Sequence, residues 1–555
     1  IDMLNNYIQL DNVYRNTSPH PAYMKNRNFC CLLMATLFSI GLITSCKKDS
    51  AESDGTPSTT PTTTATRDEL TKDSIFLYTK ELYYWNASLP TYEAFKPRTY
   101  TTNESELYAL TQYSIDPSTG KAYEYLSGYN EPKYSFIDYL STSGKVSVVN
   151  LKADVNGTAN DYGFSVMYNT TNDLRVKYVY PNSPASTQGL TRGCRITSIN
   201  GRTALTYSSS MVSFLNDAIF GTKASVSLTF IDLTGATKSV VVTSSTYNVN
   251  PILFTNVYTV GTKKVGYLVF NSFTNNVSAA LRSVFANFTT QGVTELIVDL
   301  RYNGGGYVST ATDIINLAAP VAQNGNTMYT SYYNSYLQNI TSAQRKASVL
   351  SHQPLLDAGG NIQNFTTGVN GKYATYADLN FSATAADNIE KFAKLGSLNL
   401  SRIYFIVSGS TASASELTIN SLKPVIDIKM IGETTYGKPV GFFPIRIDKL
   451  DLYVPEFETK NQLGVGGYYA GLTVDKQANE DLTKAWGDET ETLLGYALLY
   501  SRTGSFVTTA AKTASLSATS TTMPDRLSST EIKAVTESLD QIGIKGMIML
   551  PEKKF

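Results

Sequence analysis

A chain of 555 residues with 42% hydrophobic side chains is too long for one core and is expected to divide into several domains. Lys plus Arg and Asp plus Glu stand at 46 each, so no basic excess draws the protein to phosphates, which argues against a nucleic-acid partner. Four cysteines and two histidines, His20 and His352, supply neither an intradomain disulfide framework nor a site needing several imidazoles, and no metal or organic cofactor is expected.

From Met24 the chain runs through Lys25 and Arg27 into an uncharged stretch from Phe29 to Ile43, then Thr44, Ser45 and Cys46. A basic start, 15 apolar-rich residues and small residues before a cysteine form a signal-peptide pattern, too short for an ordinary membrane span. Leu42-Ile43-Thr44-Ser45-Cys46 resembles a bacterial lipobox, which implies lipidation of Cys46 and an anchor in the cell envelope, at the outer membrane. Residues 1–45 are therefore expected to be leader, with 1–23 as read-through upstream of the true start. The Thr/Ser/Pro tract over 46–66 has nothing apolar to bury and reads as a tether.

In the mature chain, Ile75, Tyr78, Leu82 and Trp85 recur at helical spacing, and Leu107 and Leu110 predict a further helix, giving a small helical domain over 67–146. Between 147 and 250 the pattern changes to short β-runs, 164–168, 174–179, 195–199 and 225–230, with Asn200-Gly201 as a turn. From 251 to 510 strands at 265–270 and 296–300, with a helix between Ala279 and Phe288, give a βαβ rhythm and an α/β domain. Residues 511–555 form an extension with a helix expected around Ser529 to Leu539.

The stretch from Val179 through Pro184, Gly189 and Leu190, followed by Gly193-Cys194-Arg195-Ile196 and Ile199-Asn200-Gly201, resembles the central signature of PDZ domains, with Cys194 where many relatives carry Asp. The resemblance implies that Tyr162-Gly163-Phe164-Ser165 is a carboxylate-binding loop, offering backbone N–H groups to a peptide C-terminus while the peptide adds a strand to the adjoining edge.

Reactive groups in an α/β domain sit just past strand ends. One such place is Asp299-Leu300-Arg301-Tyr302-Asn303-Gly304-Gly305-Gly306, where glycines let backbone N–H groups approach a ligand; no Gly-Lys-Ser/Thr follows, so a Walker loop is not supported. A second is the strand 403–407 running into Ser408-Gly409-Ser410-Thr411-Ala412-Ser413-Ala414-Ser415-Glu416 and an apolar helix. A serine cluster at a helix start is by itself an ordinary cap. A third strand, 429–432, leads into Glu433-Thr434-Thr435-Tyr436-Gly437-Lys438.

Taken together, Ser-Ala-Ser-Glu, Gly-Glu-Thr and Tyr-Gly-Lys resemble the catalytic segment of the C-terminal processing, or tail-specific, serine peptidases. The likeness covers residues 150–500 in the family's order. It implies a multidomain α+β protein whose last domain is an α/β serine peptidase of the ClpP/crotonase-like type. It also implies Ser413 as nucleophile and Lys438, 25 residues later, as base. With only two histidines in the chain, lysine is the remaining base; its pKa, ordinarily about 10.4, has to be lowered toward neutrality by burial. The oxyanion is then expected at the N–H groups of Ala414 and Gly305. Phe442 stands where many members have a glutamine that orients the lysine, and Pro439 where glycine is frequent. Glu416 is a candidate organiser, although favourable charge in a first helical turn explains it equally. His352 is expected at the surface of a long polar insertion. The expected partners are peptides or unfolded proteins with exposed C-termini; the rival reading is an envelope lipoprotein that binds peptides without cutting them. An α/β esterase is not supported, because no Gly-x-Ser-x-Gly elbow with a downstream histidine is present.

Overall fold

The computed structural model describes residues 65–139, 157–357 and 361–507, and the short strand 547–548. The expected leader, Cys46, most of the tether and the helix predicted near 529–539 lie outside the described residues. The chain divides into Ile1–Leu70 and Thr71–Phe555, and the first part is represented only by residues 65–70.

Helices α1 (Arg67–Leu82) and α2 (Asn103–Thr111) form where the sequence predicts them. Thr102 caps α2 by accepting from the Ser105 N–H. Strand β1 (Thr158–Asp161) pairs with β7 (Ser245–Asn248). Between them lies an antiparallel sheet, in spatial order β2 (Phe164–Thr170), β3 (Asp173–Val179), β4 (Arg195–Ile199), β5 (Ser225–Ile231) and β6 (Thr237–Thr243). Alternating residues such as Val166, Val176, Ile196 and Phe230 close on Leu215 and Ile219 of α3 (Ser209–Phe220). Asn200 and Gly201 both take positive φ, 48° and 82°, as a tight hairpin turn requires. This leaves β2 at one edge of its sheet.

A six-stranded sheet carries the rest of the architecture. In spatial order it contains β18 (Lys476–Gln477), β15 (Asp427–Gly432), β14 (Arg402–Val407), β10 (Glu295–Asp299), β9 (Lys263–Phe270) and β8 (Ile252–Val260). Only the β8–β9 pair is antiparallel. The near-continuous apolar runs, such as Ile403-Tyr404-Phe405-Ile406-Val407, are those of a sheet buried on both faces. On one face Val265, Tyr267, Ile297, Ile406 and Ile431 meet Leu494, Ala497 and Leu498 of α7 (Thr492–Thr503). The intervening helices are α4 (Ser278–Thr290), α5 (Val308–Ala318) and α6 (Ala414–Leu422), with α5 against α6.

The segment read as a polar insertion in fact contributes strands to a second sheet. Here β12 (Thr327–Tyr333) lies between β13 (Ile389–Lys391) and β17 (Phe457–Asn461), and β17 pairs with the short β16 (Val440–Gly441). Thr, Ser and Tyr dominate Thr327–Tyr333, yet Met328, Tyr329, Ser331 and Tyr333 are buried. His352, expected at the surface, is half-buried in a short 3₁₀ turn (Val349–His352). The neighbouring Gln353 donates its amide to the Tyr78 hydroxyl and the Arg446 carbonyl.

Candidate active site

Because β10, β14 and β15 are parallel neighbours, the three loops singled out from the sequence all leave the same edge of the sheet. The glycine turn and the serine turn are joined directly. The Ala412 N–H donates to the Asn303 carbonyl at 3.1 Å, the Ser415 hydroxyl to the same carbonyl at 3.0 Å, and the Thr411 hydroxyl to the Leu300 carbonyl at 2.7 Å. The lysine loop joins through the Tyr436 N–H, which donates to the Thr411 carbonyl at 2.9 Å.

Ser413 sits between β14 and α6 with φ 63° and ψ −114°. A non-glycine residue in that region is strained and persists only where its surroundings over-determine it. The strand–turn–helix setting is that of a nucleophile elbow, although the Gly-x-Ser-x-Gly sequence is absent. The Ser413 side chain is buried, and its Oγ has no hydrogen-bond partner among the described residues. A buried hydroxyl left unsatisfied costs free energy, so this one calls for an explanation.

What holds the turn is Glu416. Its Oε2 accepts from the Ser413 N–H at 2.9 Å and from the Lys438 N–H at 2.8 Å, and its Oε1 accepts from the Gly437 N–H at 2.8 Å and the Thr435 hydroxyl. One carboxylate oxygen therefore fixes the backbones of both expected catalytic residues. Glu416 is fully buried; burial pushes its carboxyl above the usual range, while Thr435 and the three backbone donors pull the other way. The charge in a first helical turn that the sequence shows is thus also the tie between two loops.

Lys438 is 1% exposed, and its Nζ lies 4.1 Å from the centre of the Phe442 ring and 5.8 Å from that of Tyr134. Both are within the range at which an aromatic face attracts an ammonium group. The Tyr134 hydroxyl also donates to the Gly437 carbonyl at 2.7 Å. Two aromatic faces thus flank the lysine. Tyr134 comes from a segment some 300 residues upstream, and no sequence motif marks it.

Gly305 touches the serine turn so closely that a Cβ there would lie 2.9 Å from the Ser413 Cβ and 3.1 Å from the Ala414 nitrogen. The Ala414 N–H is the first of α6, where no helical carbonyl can reach it. The Gly305 N–H donates to the Asn303 Oδ1 at 2.9 Å, and the Asn303 amide in turn donates to the Phe270 carbonyl.

Behind the glycine turn lies a charge cluster that the sequence reading did not anticipate. Arg301 is fully buried, bound to Asp299 at 2.7 Å and Glu491 at 3.1 Å, with Glu480 at 3.4 Å. Arg192, from the loop before β4, donates to Glu480 at 2.5 Å and to the Tyr302 hydroxyl at 2.6 Å. Burial alone would raise the Glu491 carboxyl, but Arg301 and Arg192 outweigh it and hold it down to about 2.

In the expected carboxylate loop, Tyr162, Phe164 and Ser165 are buried and Gly163 has φ 78°. The Gly163 N–H is taken by the Asp161 carboxylate at 2.7 Å. Cys194 is fully buried with its sulfur 3.4 Å from the Thr191 hydroxyl. Among the described residues no group of three or more His, Cys, Asp or Glu side chains could hold a metal.

Three parallel strand ends thus bring a strained, buried serine and a buried lysine, their backbones joined through Glu416, to one end of an α/β sheet. Residues 264–461 match the model of peptidase family S41, and the chain carries a domain of that family, the family of the C-terminal processing peptidases. A chloroplastic C-terminal processing peptidase of Tetradesmus obliquus is 24% identical over 178 residues, which are 30% of this chain and 38% of that protein. The match thus spans well under half the length of that curated relative. A crystal structure from Bacteroides fragilis NCTC 9343, of a protein assigned to the S41 proteases, shares the fold with a TM-score of 0.50 at 22% identity, covering 77% of this chain and 96% of the other. The photosystem II D1 C-terminal processing protease aligns with a TM-score of 0.37 at 17% identity over 75% of this chain and 94% of its own.

Proposed function

We propose that this protein is a serine endopeptidase of the C-terminal processing type, with Ser413 as nucleophile and Lys438 as its base. The observation that carries the reading is the buried Ser413 Oγ, without a partner on a strained turn whose backbone shares one carboxylate oxygen with that of Lys438. An unsatisfied hydroxyl is what a nucleophile awaiting substrate requires. A buried lysine flanked by the Phe442 and Tyr134 rings is the base at hand.

In this reading the Lys438 amine takes the Ser413 proton as Oγ attacks the scissile carbonyl, and the ammonium then protonates the leaving amine. The acyl-enzyme is opened by water with the same amine as base. The Ala414 N–H faces the developing oxyanion, and the Gly305 N–H joins it by exchanging Asn303 for the oxyanion. Substrate tails are captured at Tyr162-Gly163-Phe164-Ser165, where β2 forms a sheet edge able to take an added strand. A peptide carboxylate there replaces Asp161 on the Gly163 N–H. Lipidation of Cys46 would tether the enzyme to the bacterial envelope.

The test is cleavage of an unstructured protein by the wild type, Ser413→Ala and Lys438→Ala, read by mass spectrometry. Loss of cut sites in both folded variants is expected. Undiminished cutting by either one removes it from the mechanism, and a folded wild type that binds C-terminal peptides without cutting them establishes the binding-protein reading instead.

A further inference from the structure

The short strand β11 (Gly306–Tyr307) follows directly on the candidate oxyanion glycine. One of its sides is closed by Phe273: the Tyr307 N–H donates to the Phe273 carbonyl at 2.8 Å, and the Phe273 N–H to the Gly305 carbonyl at 3.0 Å. Peptide groups alternate along a strand, so the Gly306 N–H and C=O point the opposite way. That opposite side is occupied. Strand β19 (Met547–Ile548) pairs with β11 in parallel, Gly306 with Met547 and Tyr307 with Ile548.

The same two residues also lie against β16, which begins two positions after Lys438. One flank of β19 is therefore the strand leaving the glycine turn, and near it runs the strand leaving the lysine. A peptide adding to β11 in extended form could do so only along this track, because Phe273 closes the other side.

We propose that residues 547–548 are a strand-shaped plug, a segment of this chain that fills the substrate track beside the active site and restrains the peptidase until it is displaced. The proposal rests on the peptidase reading above for its consequence, but the docking itself does not. Two residues of ladder are weak enough to be exchanged for a longer substrate strand, and close enough to Gly305 to exclude one while in place.

The test uses the full chain and Ile548→Pro, since proline cannot serve inside a ladder. Hydrogen exchange of the peptide containing Gly306, read by mass spectrometry, is expected to speed up in the variant. Turnover of an unstructured protein is expected to rise roughly fivefold, as losing one ladder hydrogen bond implies. In the Ser413→Ala background, a labelled peptide of residues 544–553 is expected to bind Ile548→Pro more tightly than the unaltered tail allows. Unchanged exchange overturns the plug. Faster exchange with unchanged turnover overturns the restraint. Faster exchange with no turnover in any protein, wild type included, supports the docking and defeats the peptidase reading. Exchange at Gly306 that depends on protein concentration assigns the strand to a second copy and overturns the proposal for this chain's own segment.

Discussion

Replacing Glu416 by glutamine preserves volume while removing the charge that four donors share. The amide has one carbonyl to offer, and its NH₂ turns two further donors toward groups that are themselves donors. At Oε2 those groups are the Ser413 and Lys438 N–H; at Oε1 they are the Gly437 N–H and the Thr435 hydroxyl. Hydrogen bonds to a charged acceptor contribute about 1.5–3 kcal/mol each, and a buried donor left unmet costs about 1–3 kcal/mol, so Glu416→Gln should cost roughly 2–5 kcal/mol of stability. A chain of this kind can remain folded through that loss. The catalytic effect is separate. If the carboxylate sets the distance between serine and lysine, a displacement of about 1 Å lowers kcat on the order of 100-fold with KM little changed. Steady-state kinetics on an unstructured protein, beside urea unfolding of the same samples, divides the two effects. A variant that loses stability yet keeps kcat within twofold would show that Glu416 is only a structural tie. The raised Glu416 carboxyl adds a pH signature: kcat should fall as acid protonates it, through a range above that of ordinary carboxylates.

Phe442→Leu removes the nearer aromatic face from Lys438 and should lower kcat by roughly 2- to 30-fold, whereas an increase would mean that the ring holds the amine back from Ser413. Asp161→Ala removes the side-chain oxygen that occupies the Gly163 N–H and should tighten binding of a peptide with a free C-terminus but not of its amidated form, measured by fluorescence anisotropy; equal change for both would refute carboxylate capture at this loop. The Glu491 carboxyl, held at about 2 against an ordinary 4.5, contributes stability that is present above its unfolded value and is lost as pH falls through its folded one. Between these limits wild type should lose roughly 3 kcal/mol through this group, and Glu491→Gln, less stable at neutral pH because Arg301 is left short of charge, should show a flatter acid-unfolding profile by circular dichroism.

The parallel strands were legible because a strand buried on both faces leaves a continuous apolar run: Ile403–Val407 and Leu296–Val298 admit few other readings. The expected nucleophile and lysine segments followed, since each lies just past such a run. The second sheet was not legible. In Thr327–Tyr333 the buried positions are filled by Tyr and Ser as well as Met, so hydropathy shows no alternation, and the partner strand β17 lies more than a hundred residues away. Nor could spacing show the φ of Ser413, the Tyr134 ring beside Lys438, or Arg301 as the centre of a buried cluster. Each depends on tertiary neighbours, and a lone Arg after a strand reads the same whether it is solvated or paired.

That buried cluster bears on how the β-rich region at 164–243 could influence chemistry. Arg192 leaves the loop before β4 and ends on Glu480 and Tyr302, and Tyr302 is adjacent to Asn303, whose side chain holds the Gly305 N–H. A shift of the Arg192 loop would leave the Glu480 carboxylate short of one cation and Tyr302 short of a donor, at a cost of several kcal/mol for a pair this deeply buried. The cheaper response is for Tyr302 to follow, and the next residue along the chain, Asn303, is the one that releases Gly305 to an oxyanion in the proposed mechanism. Coupling of this kind is reciprocal: a ligand of the β-rich region that prefers one position of Arg192 would in turn bind differently with the proposed oxyanion site filled.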